Sequence, residues 1–268
     1  MKDLPAPRII LFDWHGTLVD TSVAMYRAMD DMLREMDRLG LGDRLTARGK
    51  SKTDDDRKLV AYVRAHRRLH PKVVADRKAS RTDLLEVLFG EDQDAKDIAN
   101  AAYNECYRNH YGDVRPFRPG VRGLLSKLNE LGIRLGILTN RSREFLEKEL
   151  EAIEGGSWHP YFECTVSGTD TRHLKPSPAP VQKALQDLGE GPGEHVWYVG
   201  DSVSDTVSAK TAGIASIFFN GVRGDSDWIA TIFPGTALHP YRPDGIVETY
   251  QDLSRLVMLA IGHVESGA

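Results

Sequence analysis

From residue 119 onward, short apolar runs alternate with stretches of helical periodicity, and few folds accept that alternation. Residues 133–138, 162–166, 195–199 and 214–219 have the length and apolar character of strands, while 143–153, 178–188 and 205–212 carry apolar residues at helical spacing. A short strand at 246–247 and a helix at 253–261 close the pattern. Strand and helix in repetition imply parallel strands joined by right-handed crossovers, a Rossmann-like α/β sheet. One further strand stands far upstream. Ile9, Ile10, Leu11 and Phe12 have the continuous apolar character of a strand buried on both faces. The run ends in Asp13, and Gly16 lets the backbone turn where the strand stops. Taken alone, Asp13 reads equally well as a helix cap. In open α/β sheets, however, ligands bind beyond the carboxyl ends of strands, which is where Asp13 stands.

Between these two parts the pattern is helical throughout. Tyr26, Met29, Leu33, Met36 and Leu39 recur at helical spacing before Gly40, which is expected to stop the helix. A basic loop follows with Arg44, Arg48, Gly49, Lys50 and Lys52. Thr53 is placed to cap the next helix, with Asp54, Asp55 and Asp56 in its first turn, and His70-Pro71 is expected to end it. Thr82 is expected to cap a helix stopped by Gly90, and another spans 94–107. The expectation is a core of residues 1–20 and 113–268 with an inserted all-helical domain at 21–112. Trp228, Ile229, Ile232 and Phe233 read as a short core-packed helix, and His66 and His70 as packing histidines without a third ligand.

Composition excludes more than it assigns. A net charge of −4 over 268 residues offers no electrostatic footprint for nucleic acid or a membrane surface. Only Cys106 and Cys164 are present, far apart, which fits neither a disulfide framework nor a zinc site. With the polar opening Met1-Lys2-Asp3-Leu4-Pro5, these features set a cytoplasmic expectation.

Three more strand ends bear polar groups. The 133–138 strand is followed by Thr139-Asn140, the loop after 162–166 carries Lys175-Pro176, and 195–199 runs into Gly200-Asp201-Ser202-Val203-Ser204-Asp205. Each has a dull explanation as a cap or a surface lysine. In a parallel sheet, however, all of them gather at one edge with Asp13. They then supply a carboxylate nucleophile, a hydroxyl, an ammonium and further carboxylates. Clustered carboxylates repel unless a hard cation joins them, and Mg²⁺ prefers a few carboxylates, waters and a substrate phosphate. Lys175 balances remaining charge as a compact cation. Phosphoryl transfer is the chemistry that such a set suits.

With these residues in view, the chain resembles the haloacid dehalogenase superfamily of hydrolases, most of them Mg²⁺-dependent phosphatases. The resemblance rests on Asp13-Trp14-His15-Gly16-Thr17, Thr139, Lys175-Pro176 and Gly200-Asp201-Ser202 through Asp205, in that order, and spans residues 8 to 219. It implies Asp13 as nucleophile, with Mg²⁺ held by Asp13, the backbone carbonyl of His15 and Asp201, and Asp205 as an outer ligand. It implies Thr139, Asn140 and Lys175 as phosphate-binding, a small phosphorylated metabolite as substrate, and a helical cap whose loop residues Arg48, Lys50 and Lys52 select it. Phosphatases of the family usually carry a second Asp where this chain has His15. An imidazole titrates near neutrality and suits general acid and base work. The departure also keeps two alternatives open. Phosphonoacetaldehyde hydrolases share an Asp-Trp-x-Gly-Thr motif and use a cap lysine, for which Lys50 or Lys52 would serve. A non-catalytic phospholigand-binding relative is the other.

Overall fold

The Ile9–Asp13 run forms β1, buried along its whole length. Its apolar side chains leave both faces of the strand dry, and a strand of that kind is stable only where helices cover both sides. The computed structural model describes residues 4–47, 49–76, 79–222 and 224–265, with 263–265 described by backbone alone. It divides into two compact units, Met1–Asp20 with Arg115–Ala268 and Thr21–Val114.

In the first unit, β1 is joined by β2 (Val19–Asp20), β3 (Arg115–Pro116), β4 (Arg134–Leu138), β5 (Cys164–Val166), β6 (Val196–Gly200), β7 (Ala215–Phe219) and β8 (Gly245–Val247). Six of these make one sheet in the order β5-β4-β1-β6-β7-β8, and every pairing in it is parallel. β2 and β3 form a separate antiparallel ribbon, Val19 opposite Pro116 and Asp20 opposite Arg115. From β1 the chain builds outward through β4 to β5, then returns to the other side of β1 for β6, β7 and β8. The sheet therefore changes direction beside β1, and its carboxyl end is the topological switch point where ligands bind in such sheets. Register does the rest. Asp13 lies opposite Leu138 on β4 and Phe12 opposite Val199 on β6, so the ends of all three strands come level.

The second unit of the chain is helical among the described residues: α1 (Ser22–Arg34), α2 (Asp54–His66), α3 (Pro71–Asp76), α4 (Arg81–Phe89) and α5 (Gln93–Tyr107). α1 packs on α5, and Met29, Met32 and Leu33 of α1 and Tyr103 and Tyr107 of α5 are all buried. Arg44 clamps the Asp92 carboxylate at the start of α5 with bonds of 2.9 and 2.5 Å. Thr53 caps α2 in a reciprocal box with Asp56, as expected from sequence. Two boundaries differ. α2 ends at His66, before the His70-Pro71 break, because Arg67 takes a left-handed conformation (φ 52°) and closes the helix. Ser80, not Thr82, caps α4, since Ser80 can bond Asp83 in both directions. His66 and His70 both pack against the Tyr62 ring, with centroids 4.3 and 4.6 Å away.

Helices α6 (Val121–Glu130), α7 (Arg143–Ala152), α8 (Ala179–Leu188), α9 (Val203–Thr211), α10 (Ser226–Ile232) and α11 (Tyr250–Glu265) complete the first unit. α10 is less buried than its apolar residues suggest. Phe233 and Phe218 meet edge to face at 5.0 Å, but Trp228 stays partly exposed. Beneath the sheet, Leu11, Leu138, Val166, Val181, Leu185 and Tyr198 share one core cluster. Gly136 permits the close fit there, since a Cβ would stand 2.6 Å from Cys164 Sγ and 2.8 Å from Leu11 Cδ2. Leu11→Ala is expected to cost about 2–5 kcal/mol of unfolding free energy, read from urea denaturation, because the central strand has little freedom to close over the cavity.

Candidate active site

The turn after β1 aims its backbone inward. The Trp14 carbonyl accepts the N–H groups of Leu18 and Val19, each at 2.9 Å, and Gly16 N–H donates to Val19 at 2.9 Å. Gly16 sits at φ 78°, and a Cβ there would lie 2.1 Å from Asp201 Oδ2. A larger residue would thus push into the space that Asp201 occupies, so glycine is required twice over.

Lys175 is the centre of the site. It arrives on the loop between β5 and α8, its side chain 4% exposed, and its Nζ lies 2.5 Å from Asp13 Oδ1 and 2.7 Å from Asp205 Oδ1. Nζ is also 2.9 Å from the Tyr198 hydroxyl and 3.3 Å from the Leu138 carbonyl. The loop is held from several sides. Asn140 Nδ2 donates to the Lys175 carbonyl at 3.1 Å, and Lys175 N–H donates to Asn140 Oδ1 at 2.9 Å. Arg143 bonds Thr165 Oγ1 at 2.6 Å and its carbonyl at 2.7 Å, and pairs with Asp170. Asn140, expected at the phosphate, thus has its side-chain amide committed to the Lys175 backbone instead. Thr139, buried at the end of β4, accepts the Arg141 N–H at Oγ1 over 3.1 Å, and its hydroxyl proton remains for another acceptor.

Asp205 is used on both oxygens. Oδ1 accepts Lys175 and, at 2.9 Å, the Tyr198 hydroxyl; Oδ2 accepts Ser202 N–H at 3.0 Å and Ser202 Oγ at 2.6 Å. It is at once the capping-box residue of α9 and a charge partner of Lys175. With every lone-pair direction engaged, it is better placed to act through a water than to bind an ion directly. Tyr198 was not singled out in the sequence, because on a strand pattern it is one more core aromatic. Only the register that aims its hydroxyl between Lys175 and Asp205 sets it apart.

Carboxylate oxygens of Asp13, Asp201 and Asp205 lie within 4.8 Å of one another. Burial raises the Asp13 carboxyl above the ordinary range and Asp205 adds to this, while Lys175 opposes it. Asp201 is pushed well above that range by burial and by the charges of Asp13 and Asp205. Burial works against the Lys175 charge, yet Asp13 and Asp205 outweigh it and hold the ammonium above its usual value. Three carboxyls share one internal cation. The donor set therefore fits a hard divalent cation beside Asp13 and Asp201, which would relieve the strain that their raised values express.

His15 turns elsewhere. Its Nε2 lies 2.9 Å from Glu149 Oε2, and Glu149 is fully buried. Lys50 and Lys52 belong to the other unit, where Lys52 Nζ lies 3.4 Å from Glu86 and Lys50 is exposed; Arg48 lies outside the described residues. No helix among the described residues is long and apolar enough to cross a membrane.

The profile of haloacid dehalogenase-like hydrolases matches residues 7–213, and a related profile of that kind matches 174–253. Phosphoglycolate phosphatase of Aquifex aeolicus is 30% identical over 212 residues, covering 77% of this chain and 81% of that protein. Phosphoglycolate phosphatase of Nitrosococcus oceani is 29% identical over 262 residues, covering 96% and 99%. Among solved structures, CbbY from Rhodobacter sphaeroides in complex with phosphate shares the fold, with a TM-score of 0.57 and 22% identity over 92% of this chain and 96% of that one.

The raised carboxyls carry a sign that can be measured. A carboxyl whose folded pKa exceeds its unfolded value favours the native state while protonated, and that contribution is lost as pH rises through the raised value. A divalent cation offsets the loss only where the carboxyls would otherwise ionise. Saturating Mg²⁺ is therefore expected to raise Tm by several degrees at about pH 8 and much less at about pH 5. A shift that does not grow with pH in differential scanning fluorimetry would contradict this account.

Proposed function

The chain belongs to the haloacid dehalogenase-like hydrolase family, and from that premise we propose that it hydrolyses a small phosphomonoester through an aspartyl-phosphate on Asp13. The observation that carries this reading is Lys175, lodged between Asp13 and Asp205 at 2.5 and 2.7 Å with Asp201 in the same cluster. A buried ammonium on one oxygen of Asp13 orients the other for attack and offsets the negative charge that a phosphate brings.

Asp13, Asp201 and the backbone carbonyl of His15 are the groups that would hold Mg²⁺, with Asp205 behind them. The ion would supply charge screening between the carboxylate nucleophile and the phosphate oxygens. Asp13 attacks phosphorus, and the P–O bond to the leaving group breaks. His15 gives that oxygen a proton, then takes one from the water that attacks the aspartyl-phosphate, so that inorganic phosphate and free Asp13 return. Thr139 and Lys175 bind the phosphoryl oxygens as they move. Splitting the displacement in two lets one carboxylate and one proton carrier serve both halves.

The activity named for the relatives makes 2-phosphoglycolate the first ester to assay. Asp13→Asn is expected to lower kcat by at least about a thousandfold, and EDTA to abolish turnover reversibly on Mg²⁺ addition. Phosphate release that survives both treatments would refute the proposal. Carbon–phosphorus cleavage would need a Schiff base on Lys50 or Lys52, and borohydride trapping with phosphonoacetaldehyde is expected to label neither.

A further inference from the structure

β6 is buried along its whole length, and its run Val196-Trp197-Tyr198-Val199 asks only for large apolar side chains. A phenylalanine at 198 would meet that demand and bring no hydroxyl into the interior that then needs partners. Tyr198 is 1% exposed and shares the core cluster of Leu11, Leu138 and Val181. Its hydroxyl is fully engaged. It accepts a hydrogen from Lys175 Nζ at 2.9 Å and donates its own to Asp205 Oδ1 at 2.9 Å, with the Leu138 carbonyl further off at 3.4 Å. Nζ also stands 5.6 Å from the centroid of the ring.

The Lys175 ammonium has four acceptors around it: Asp13 Oδ1, Asp205 Oδ1, the Tyr198 hydroxyl and the Leu138 carbonyl. The two carboxylates supply most of the attraction. A compact cation on a flexible stem, however, can satisfy two negative charges from many positions. The hydroxyl removes that freedom, because the strand and the packed ring fix where it stands. Of the four groups it alone both takes a hydrogen from Lys175 and gives one to Asp205. Lys175, Asp205 and Tyr198 thus close a ring of hydrogen bonds, each at 2.9 Å or less. We propose that Tyr198 is a positioning residue for the reaction, holding Nζ against Asp13 Oδ1 so that the second oxygen of Asp13 is the one that meets phosphorus. The inference rests on the hydrolytic reading above, in which Asp13 is the nucleophile. No bond to Tyr198 forms or breaks, and its hydroxyl proton stays on Asp205. Its effect passes through Lys175, and small displacements of a reacting group are costly to rate.

Tyr198→Phe removes the hydroxyl and keeps the ring. It is expected to lower kcat and kcat/KM together by about tenfold, with KM within about twofold of the wild-type value. The loss is expected to be equal for 2-phosphoglycolate and p-nitrophenyl phosphate, because the nucleophile and not the leaving group is disturbed. A hydroxyl kept only to satisfy buried neighbours would lower Tm and leave kcat unchanged, and that result overturns the proposal. So does a loss confined to KM, or one that differs between the two esters. The wild-type protein provides a measurement that needs no folded variant. With ¹⁵N-lysine, the Lys175 ammonium, identified by its disappearance in Lys175→Met, is expected to give a resolved and slowly exchanging signal at room temperature. Free exchange with water at that nitrogen overturns the proposal. Undiminished turnover in Asp13→Asn would remove the hydrolytic reading and this inference with it. An inactive Asp13→Asn beside an unimpaired Tyr198→Phe would remove this inference alone.

Discussion

The pairing of the Lys175 ammonium with Asp13 and Asp205 is the interaction around which the first unit is arranged. Burying one charge is expensive, and burying two carboxyls beside it, with a third half-buried, is more so. The fold meets that cost with geometry. β1, β4 and β6 end level, the Asn140 amide clamps the Lys175 backbone from both sides, and the Ser202 cap returns two donors to Asp205. What is left over is a pair of carboxyls, Asp13 and Asp201, held above their ordinary range, whose ionised forms a divalent cation would complement. The site is thus held in a conformation with a deficit of positive charge, not one at electrostatic rest.

Much of this was legible in the sequence, for a physical reason. A strand buried on both faces must be apolar throughout, so a polar residue at its end stands out, and Asp13, Thr139 and Asp201 each follow such a run. Parallel connections then force those ends to one edge. Tyr198 and Glu149 escaped the same reading. Tyr198 occupies a strand position where any large apolar side chain would satisfy the pattern, and only register turns its hydroxyl toward Lys175. Glu149 is one of several acids on α7, and no periodicity says which one faces inward toward Trp14, His15 and Arg141. Asn140 was legible as a strand-end polar group but not as a backbone clamp, because that needs the 162–175 loop to return beside it. Helix boundaries failed where local competition decided: Ser80 over Thr82, and a left-handed Arg67 ahead of Pro71.

The imidazole of His15, two residues after Asp13, is tied into a wider group of side chains. A second acid in that place would bring its own charge and need no partner. An imidazole has two inequivalent nitrogens, and the one that meets Glu149 is Nε2. The buried Glu149 also accepts from the Arg141 guanidinium and from the Trp14 indole. These four side chains form one hydrogen-bonded group.

The two-residue ribbon of β2 and β3 has a different kind of consequence. It holds Asp20 opposite Arg115, so the chain leaves the sheet-bearing unit and re-enters it at one spot. To that unit, everything from Thr21 to Val114 is the loop of a hairpin. Loop-closure entropy grows only as the logarithm of length, so such a loop can lengthen, shorten or be exchanged wholesale at small thermodynamic cost. The sheet edge that ends in Asp13 and the inserted segment are therefore free to diverge at different rates, with only the short β2–β3 ribbon of the first unit marking where one gives way to the other.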